Sequence, residues 1–439
     1  MTKSIKKELL EKWDALLEAP GLPKIDNIDK KLVTAQLLEN IETGTDAGLI
    51  EPLDHPLANI PLTEAAPTTN TSGVKNYDPV LISLIRRSAP KLIAFDLVGV
   101  QPMSGPSGQV FYLRSRYDNQ SGAEALAIDE ANTEHSSIKP TASTPPALGD
   151  QHIGTTPTGD PNTYNYVGAM TLSQAEALGT SGSPAWREMS MTIDKVVVEA
   201  KSRKLKGEYT HEFAQDLKAI HGLDAVNELS NILAQELTAE INREVIRAVY
   251  GVAKIGAQWT ATAGVFDVNV DSNGRWSAER WIGLNFGLQL EANEIAKKTK
   301  RGKGNIILCS PNVASALAAA KILDSTSAVA MHVDATQSTF AGTIGLMKVY
   351  IDPYAEKDFC VVGYKGISSW DAGIYYCPYT PLQQIKSLKD GSLTPVIGFM
   401  SRHGLIQNPF GGGKTVNATG ALTPNSNEYY RLFSVTNLM

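Results

Sequence analysis

Nine apolar residues recur at helical steps in one stretch: Val226, Leu229, Ile232, Leu233, Leu237, Ile241, Val245, Ile246 and Val249. No glycine or proline interrupts them, and the pattern extends over about 224–253. It predicts a helix of roughly 30 residues, about 45 Å long at 1.5 Å per residue. Such a helix outspans the core of an ordinary domain, so the subunit should be elongated or plate-like.

The remaining elements are arranged around that helix. Residues 189–198 alternate well enough for a strand. Downstream the pattern gives a helix at 281–300, a strand at 305–310, a helix at 313–321 and strands at 348–352 and 358–363. That succession predicts a compact mixed domain with a central sheet. Upstream, residues 78–117 read as a short helix ending near Ser88-Ala89-Pro90, followed by strand-like pieces at 92–100 and 109–117. Residues 119–183 are poor in large apolar side chains, contain Pro145-Pro146 among many Gly and Thr, and predict a long protruding loop. With 439 residues there is room for two or three cores.

The first 64 residues read as a separable leader. Ile5, Leu9, Trp13, Leu16 and Leu17 mark one short amphipathic helix, stopped by Pro20-Gly21; Leu32, Val33, Leu37, Leu38 and Ile41 mark a second, before Gly44. Seven lysines stand against five aspartates and seven glutamates, so the leader carries −5 of the chain's net −6. A Pro-, Thr- and Asn-rich stretch, 52–76, follows as an extended linker or arm. Five of the seven leader glutamates have Leu two positions before them, whereas among the 17 later glutamates only Glu130 has Leu or Ile there. Leu-Leu-Glu is common in amphipathic helices, but Leu62-Thr63-Glu64 lies in a Pro-containing segment where a protease can bind extended chain.

Enzyme chemistry finds little support. The seven histidines include no metal-binding pair at helical spacing, and no HExxH, GxSxG or GxGxxG is present. Gly411-Gly412-Gly413-Lys414-Thr415 has the end of a phosphate-binding loop, but Asn408 stands where the first glycine belongs, and a flexible turn is the better reading. Asp352 and Asp358 read as loop and turn residues. Cys309, Cys360 and Cys377 are odd in number and widely spaced, which predicts reduced thiols in a cytoplasmic compartment. A pI near 5.7 disfavours bulk binding of nucleic acid, and the small basic clusters at Arg86-Arg87 and 201–206 read as solvated charge or subunit contact. Glu8, Glu11 and Lys12 break any signal-peptide core, and Arg86, Arg87, Pro90, Lys91 and Asp96 break the most apolar stretch, so neither export nor a membrane span is predicted.

Several ordered blocks resemble the T-even-like phage major capsid proteins. The first is Arg86-Arg-Ser-Ala-Pro-Lys-Leu-Ile-Ala-Phe-Asp96, continuing through Gly99-Val-Gln-Pro-Met103 to Gly108-Gln-Val-Phe111. Next come Ile193-Asp-Lys195, Glu199-Ala-Lys-Ser-Arg203, Ala214-Gln-Asp-Leu217, His221-Gly222 and Glu240-Ile-Asn-Arg-Glu244. Asp371-Ala-Gly-Ile-Tyr-Tyr376, Pro378-Tyr379 and Asn408-Pro-Phe410 complete the set.

The resemblance implies an α+β, Hong Kong 97-type capsid fold and a structural subunit, not an enzyme. It divides the chain into a cleaved acidic propeptide (1–64), an N-terminal arm (65–90), and a peripheral domain (91–118 and 186–258) with the long helix as its spine. An extended loop (119–185), an axial domain (259–394) and a C-terminal return to the peripheral domain (395–439) follow, with any inserted lobe reduced or absent. The family's processing pattern, Leu or Ile, any residue, then Glu, matches Leu62, Thr63 and Glu64, with Ala65 as the new N-terminus. Implied partners are further copies in hexameric capsomers, a prohead protease, scaffold, portal and vertex proteins, decoration proteins, and packaged DNA held without sequence preference. No catalytic, metal or cofactor residue is expected, and the expected location is the virion capsid, assembled in the host cytoplasm. Competing readings are a pentamer-forming vertex paralogue, an encapsulin-like compartment shell, and a hydrolase built on scattered carboxylates.

Overall fold

The computed structural model describes residues 3–18, 27–46, 92–122, 170–181, 185–272, 274–320, 339–389, 394–412 and 419–438, with a few single positions between them. Both leader helices form, α1 over Lys3–Leu17 and α2 over Ile28–Asp46. They close on each other through Trp13, Leu17, Ile25, Ala35, Leu38 and Ile41. Glu39 accepts bonds from the Trp13 indole at 3.0 Å and from Lys12 at 2.8 Å, fixing the pair. The linker at 52–76 and the helix expected near 78–90 lie outside the described residues.

Where a strand was expected at 92–100, the chain makes one helical turn, α3 (Ala94–Leu97), and only then strand β1 (Gly99–Val100). The reason is tertiary: the Asn242 side chain accepts from the Ile93 amide at 3.0 Å, capping a turn whose Ala94 and Leu97 are buried. Strands β2 (Ser107–Tyr117) and β3 (Met189–Glu199) pair antiparallel over eleven positions as a two-stranded ribbon. Most of the expected loop between them lies outside the described residues; helix α4 (Leu172–Ala177), with a Thr171–Gln174 capping box, is described.

The basic cluster at 201–206 belongs to a strand, β4 (Lys201–Glu208), with Lys204 and Lys206 outward and Arg203 and Leu205 half-buried. Helix α5 (His211–His221) starts on a Thr210 cap and ends at Gly222, whose φ of +67° suits glycine. The long helix, α6, spans Ala225–Val252 from an Asp224 cap. Its first half packs Leu233 and Leu237 on Leu382, Ile397 and Phe399; its second half packs Ile241, Val245, Ile246 and Val249 on Ile306, Leu308, Val361 and Tyr430. One helix therefore spans two sheets, as its length requires.

Short strands β5 (Ala253–Ile255) and β6 (Val265–Asp267) precede helix α7 (Ser277–Thr299), strand β7 (Ile306–Cys309) and helix α8 (Pro311–Ala319). Strands β8 (Thr339–Ile344), β9 (Met347–Ile351) and β10 (Phe359–Gly363) follow. Two long strands, β11 (Ile374–Leu388) and β12 (Pro395–Gln407), lead to the last, β13 (Asn427–Thr436). The larger sheet runs β5-β13-β10-β7-β9-β8, with β6 also on β13. Period-two alternation serves both of its faces: Ile307, Cys309 and Val362 meet α7 and α8, while Ile306, Leu308 and Val361 meet α6. The smaller sheet runs β1-β11-β12-β4, and its central hairpin shifts register between Pro378 and Gln383. Proline has no amide to donate to the ladder, so Pro378 and Pro381 account for the irregularity.

Candidate assembly surfaces

The sequence-predicted processing residues Leu62, Thr63, Glu64 and Ala65 lie outside the described residues. The described surface that most needs a partner is the ribbon. At its base Val110, Tyr112, Val196 and Val198 are buried against Met103, Tyr375, Cys377 and Ile406. The register puts Phe111, Leu113, Met189, Met191, Ile193 and Val197 together on the opposite face. Those six side chains are 50–70% exposed, an apolar stripe that shares its face with Gln109, Ser115, Tyr117 and Lys195. A cluster of exposed apolar side chains of this kind marks a candidate interaction site. The stripe was not foreseen; the signal for it was Met189, Met191 and Ile193 at period two in a segment read only as a strand.

A second constellation couples the long helix to both sheets. Arg203 on β4 bridges Glu240 at 3.1 Å and Glu244 at 2.7 Å, and Glu244 also bonds His403 of β12 at 2.9 Å. These bonds hold the Glu244 carboxyl below its ordinary range, the His403 contact first and Arg203 after it, against the opposing effect of burial. Arg243, one step earlier, pairs with Asp352. The segment Glu240-Ile-Asn-Arg-Glu244 thus sends Glu240, Asn242, Arg243 and Glu244 each into a separate tertiary bond. Its composition is explained by docking, not by chemistry on a substrate.

The remaining candidates resolve as structural. Asp352 is locked by Arg243 and the Tyr250 hydroxyl, and Asp358 accepts from Ser310 at 2.8 Å. Cys309, Cys360 and Cys377 are free thiols, all buried, and burial pushes Cys309 and Cys377 up to about 12, which leaves them unreactive. Asn408 donates to the Ala372 carbonyl at 2.8 Å, and Pro409–Gly412 form a 3-10 turn; Gly413, Lys414 and Thr415 lie outside the described residues. Among the described residues no group of three or more His, Cys, Asp or Glu is placed to hold a metal, and no helix is long and apolar enough to cross a membrane.

The family model for the major capsid protein Gp23 matches residues 74–435. The chain is similar to the major capsid protein of Enterobacteria phage T4, at 38% identity over 93% of this chain and 93% of that protein. The capsid vertex protein of the same phage is 28% identical over 50% of this chain and 52% of its own length, a match of half the extent. Among solved structures, the capsid of Myoviridae phage XM1 is similar at a TM-score of 0.39 and 8% identity, over 78% of this chain and 92% of that one. The chain belongs to the Gp23 family of major capsid proteins, structural components of the phage virion head and not enzymes.

Proposed function

We propose that this subunit builds hexameric capsomers of a phage prohead in a Hong Kong 97-type fold, and that a prohead protease cuts after Glu64 before the shell expands around DNA. In this reading α6 is the spine of a peripheral domain (91–118 and 186–258), and residues 259–394 form the axial domain. The ribbon is the root of an extended loop that lies over a neighbouring copy, and residues 65–90 are the arm.

The apolar stripe on the ribbon carries the assembly part. Six large apolar side chains gain nothing by facing water in an isolated subunit, and a second copy laid across them removes that surface from solvent. Many modest contacts of this kind sum to a stable shell because each copy makes several. Cutting at Glu64 would remove the leader's −5 from the interior, reducing repulsion toward DNA, although mobile ions screen much of it. Scaffold, portal and vertex proteins are the further partners of this reading.

Intact mass of the protein from purified particles, beside negative-stain images of the same sample, tests it. A chain beginning at Ala65 in icosahedral or prolate shells is the expected result. Full-length chain in expanded, DNA-filled shells would overturn the processing step, and soluble monomers without shells would overturn assembly.

A further inference from the structure

The leader is not merely tethered to the subunit; its second helix is seated in it. One face of α2 packs on α1, as described, and the other meets the body. Val33 and Leu37, one turn apart, join the core that holds Ile93, Leu97, Ile241 and Tyr376. One turn further on, the Asn40 side-chain amide donates to two main-chain carbonyls at once, Met103 at 2.7 Å and Tyr379 at 2.9 Å. Its own oxygen accepts from Gln36 at 3.1 Å, which fixes the amide's orientation. At the other end of the seat the Lys30 ammonium lies over the Phe95 ring, 5.3 Å from its centre.

The position of Tyr379 makes the contact informative. It falls between Pro378 and Thr380, where the β11–β12 register slips and Tyr379 itself has no partner across the ladder. A carbonyl released from a ladder needs another donor if it is to stay covered. Here the donor comes from the leader. The seat is also imperfectly filled: a cavity remains between α2 and the body, lined by Val33, Leu37, Leu92, Phe95, Pro378 and Leu382. Unfilled space forfeits dispersion contacts along this interface.

We propose that α2 is a latch on its own subunit. While seated, it contacts three elements at once: the α3 turn at the end of the arm, the long helix α6 through Ile241, and the bulged part of β11. Cutting the chain at Glu64 does not by itself unseat α2, since these contacts bridge the cut non-covalently and none is made by residues at the cut. Release is a second, non-covalent step, and until it occurs the arm root and the β11 bulge keep their immature arrangement. The timing part of this proposal rests on the processing reading above; the latch contacts do not.

Hydrogen–deuterium exchange on assembled full-length shells tests the latch. In Asn40→Ala shells, amides in 376–382 and 93–98 should exchange about tenfold faster than in wild type, as expected for the loss of two hydrogen bonds at a locally opening site, while 240–249 stays unchanged. Glu39→Ala, which removes the bonds from Trp13 and Lys12 of α1, should leave all three segments as they are. Should Asn40→Ala shells fail to assemble, wild-type shells before and after leader removal give the same comparison, and added peptide 25–46 should restore protection at 376–382. Equal exchange with and without a seated α2 overturns the latch. Full-length chain in mature wild-type shells, with the Asn40→Ala effect intact, would overturn the processing reading alone.

Discussion

Arg243, at the middle of the long helix, places its guanidinium 2.6 Å from the carboxylate of Asp352, a residue that is 1% exposed at the end of β9. The other carboxylate oxygen accepts the Tyr250 hydroxyl at 2.7 Å, and the guanidinium also stacks on the Tyr354 ring at 4.7 Å. The long helix and the larger sheet are therefore joined by a buried charge as well as by apolar packing. Removing one partner of such a pair leaves the other uncompensated. Arg243→Ala should destabilise the unassembled subunit by about 3–5 kcal/mol, measured by equilibrium denaturation. A double replacement, Arg243→Met with Asp352→Leu, should recover much of that loss; no recovery would mean that the geometry of the pair, not the stranded charge, sets the cost.

Glu244 gives a pH dependence with a definite sign. Its folded pKa lies below the ordinary glutamate value of 4.5, chiefly through the hydrogen bond from His403. A depressed carboxyl contributes stability that is complete above its unfolded value and is lost as pH falls through the folded one. Wild type should therefore exceed Glu244→Gln in stability above 4.5, and the two curves should converge in more acid solution. Parallel curves down to the acid transition would show that the carboxyl's charge does not contribute.

Gly404 sets how closely the ribbon lies on the smaller sheet. A Cβ there would stand 2.6 Å from the Val198 Cγ1 and 2.8 Å from the Glu199 carbonyl oxygen. Because the second contact is backbone, a rotamer change at Val198 cannot relieve it. Gly404→Ala should cost about 1–3 kcal/mol by overpacking, read from denaturant unfolding of the unassembled subunit. The loss should persist in a Val198→Ala background, and full rescue there would show the carbonyl contact to be unimportant.

Much of the fold was legible because its periodicities are long and clean. The helix expected at 224–253 spans Ala225–Val252, and the strands expected at 305–310, 348–352 and 358–363 are Ile306–Cys309, Met347–Ile351 and Phe359–Gly363. The hairpin β11–β12 was not legible, since Pro378, Pro381, Gly398 and Gly404 read as breakers and its buried polar residues, such as His403 and Gln407, find partners only in three dimensions. Residues 92–100 misled because the Asn242 bond that favours a turn comes from 149 positions away. Asn40 gave no signal at all, as its acceptors are backbone carbonyls 63 and 339 residues downstream.

The ribbon stripe separates folding from assembly. Phe111, Leu113 and Ile193 face water in the single chain, so replacing them removes little that the subunit's own core uses. Surface changes of that kind usually shift stability by no more than about 0.5 kcal/mol. If the stripe is covered by a neighbour in the shell, each replacement is multiplied over every copy. The triple variant Phe111→Ser, Leu113→Ser, Ile193→Ser should keep the wild-type circular dichroism spectrum and unfolding midpoint while its yield of sedimenting shells collapses. Normal shell yield would remove the stripe from the assembly interface. A lowered unfolding midpoint would mean that these residues are covered by the subunit's own chain, and only an unchanged midpoint with lost shells assigns them to contact between copies.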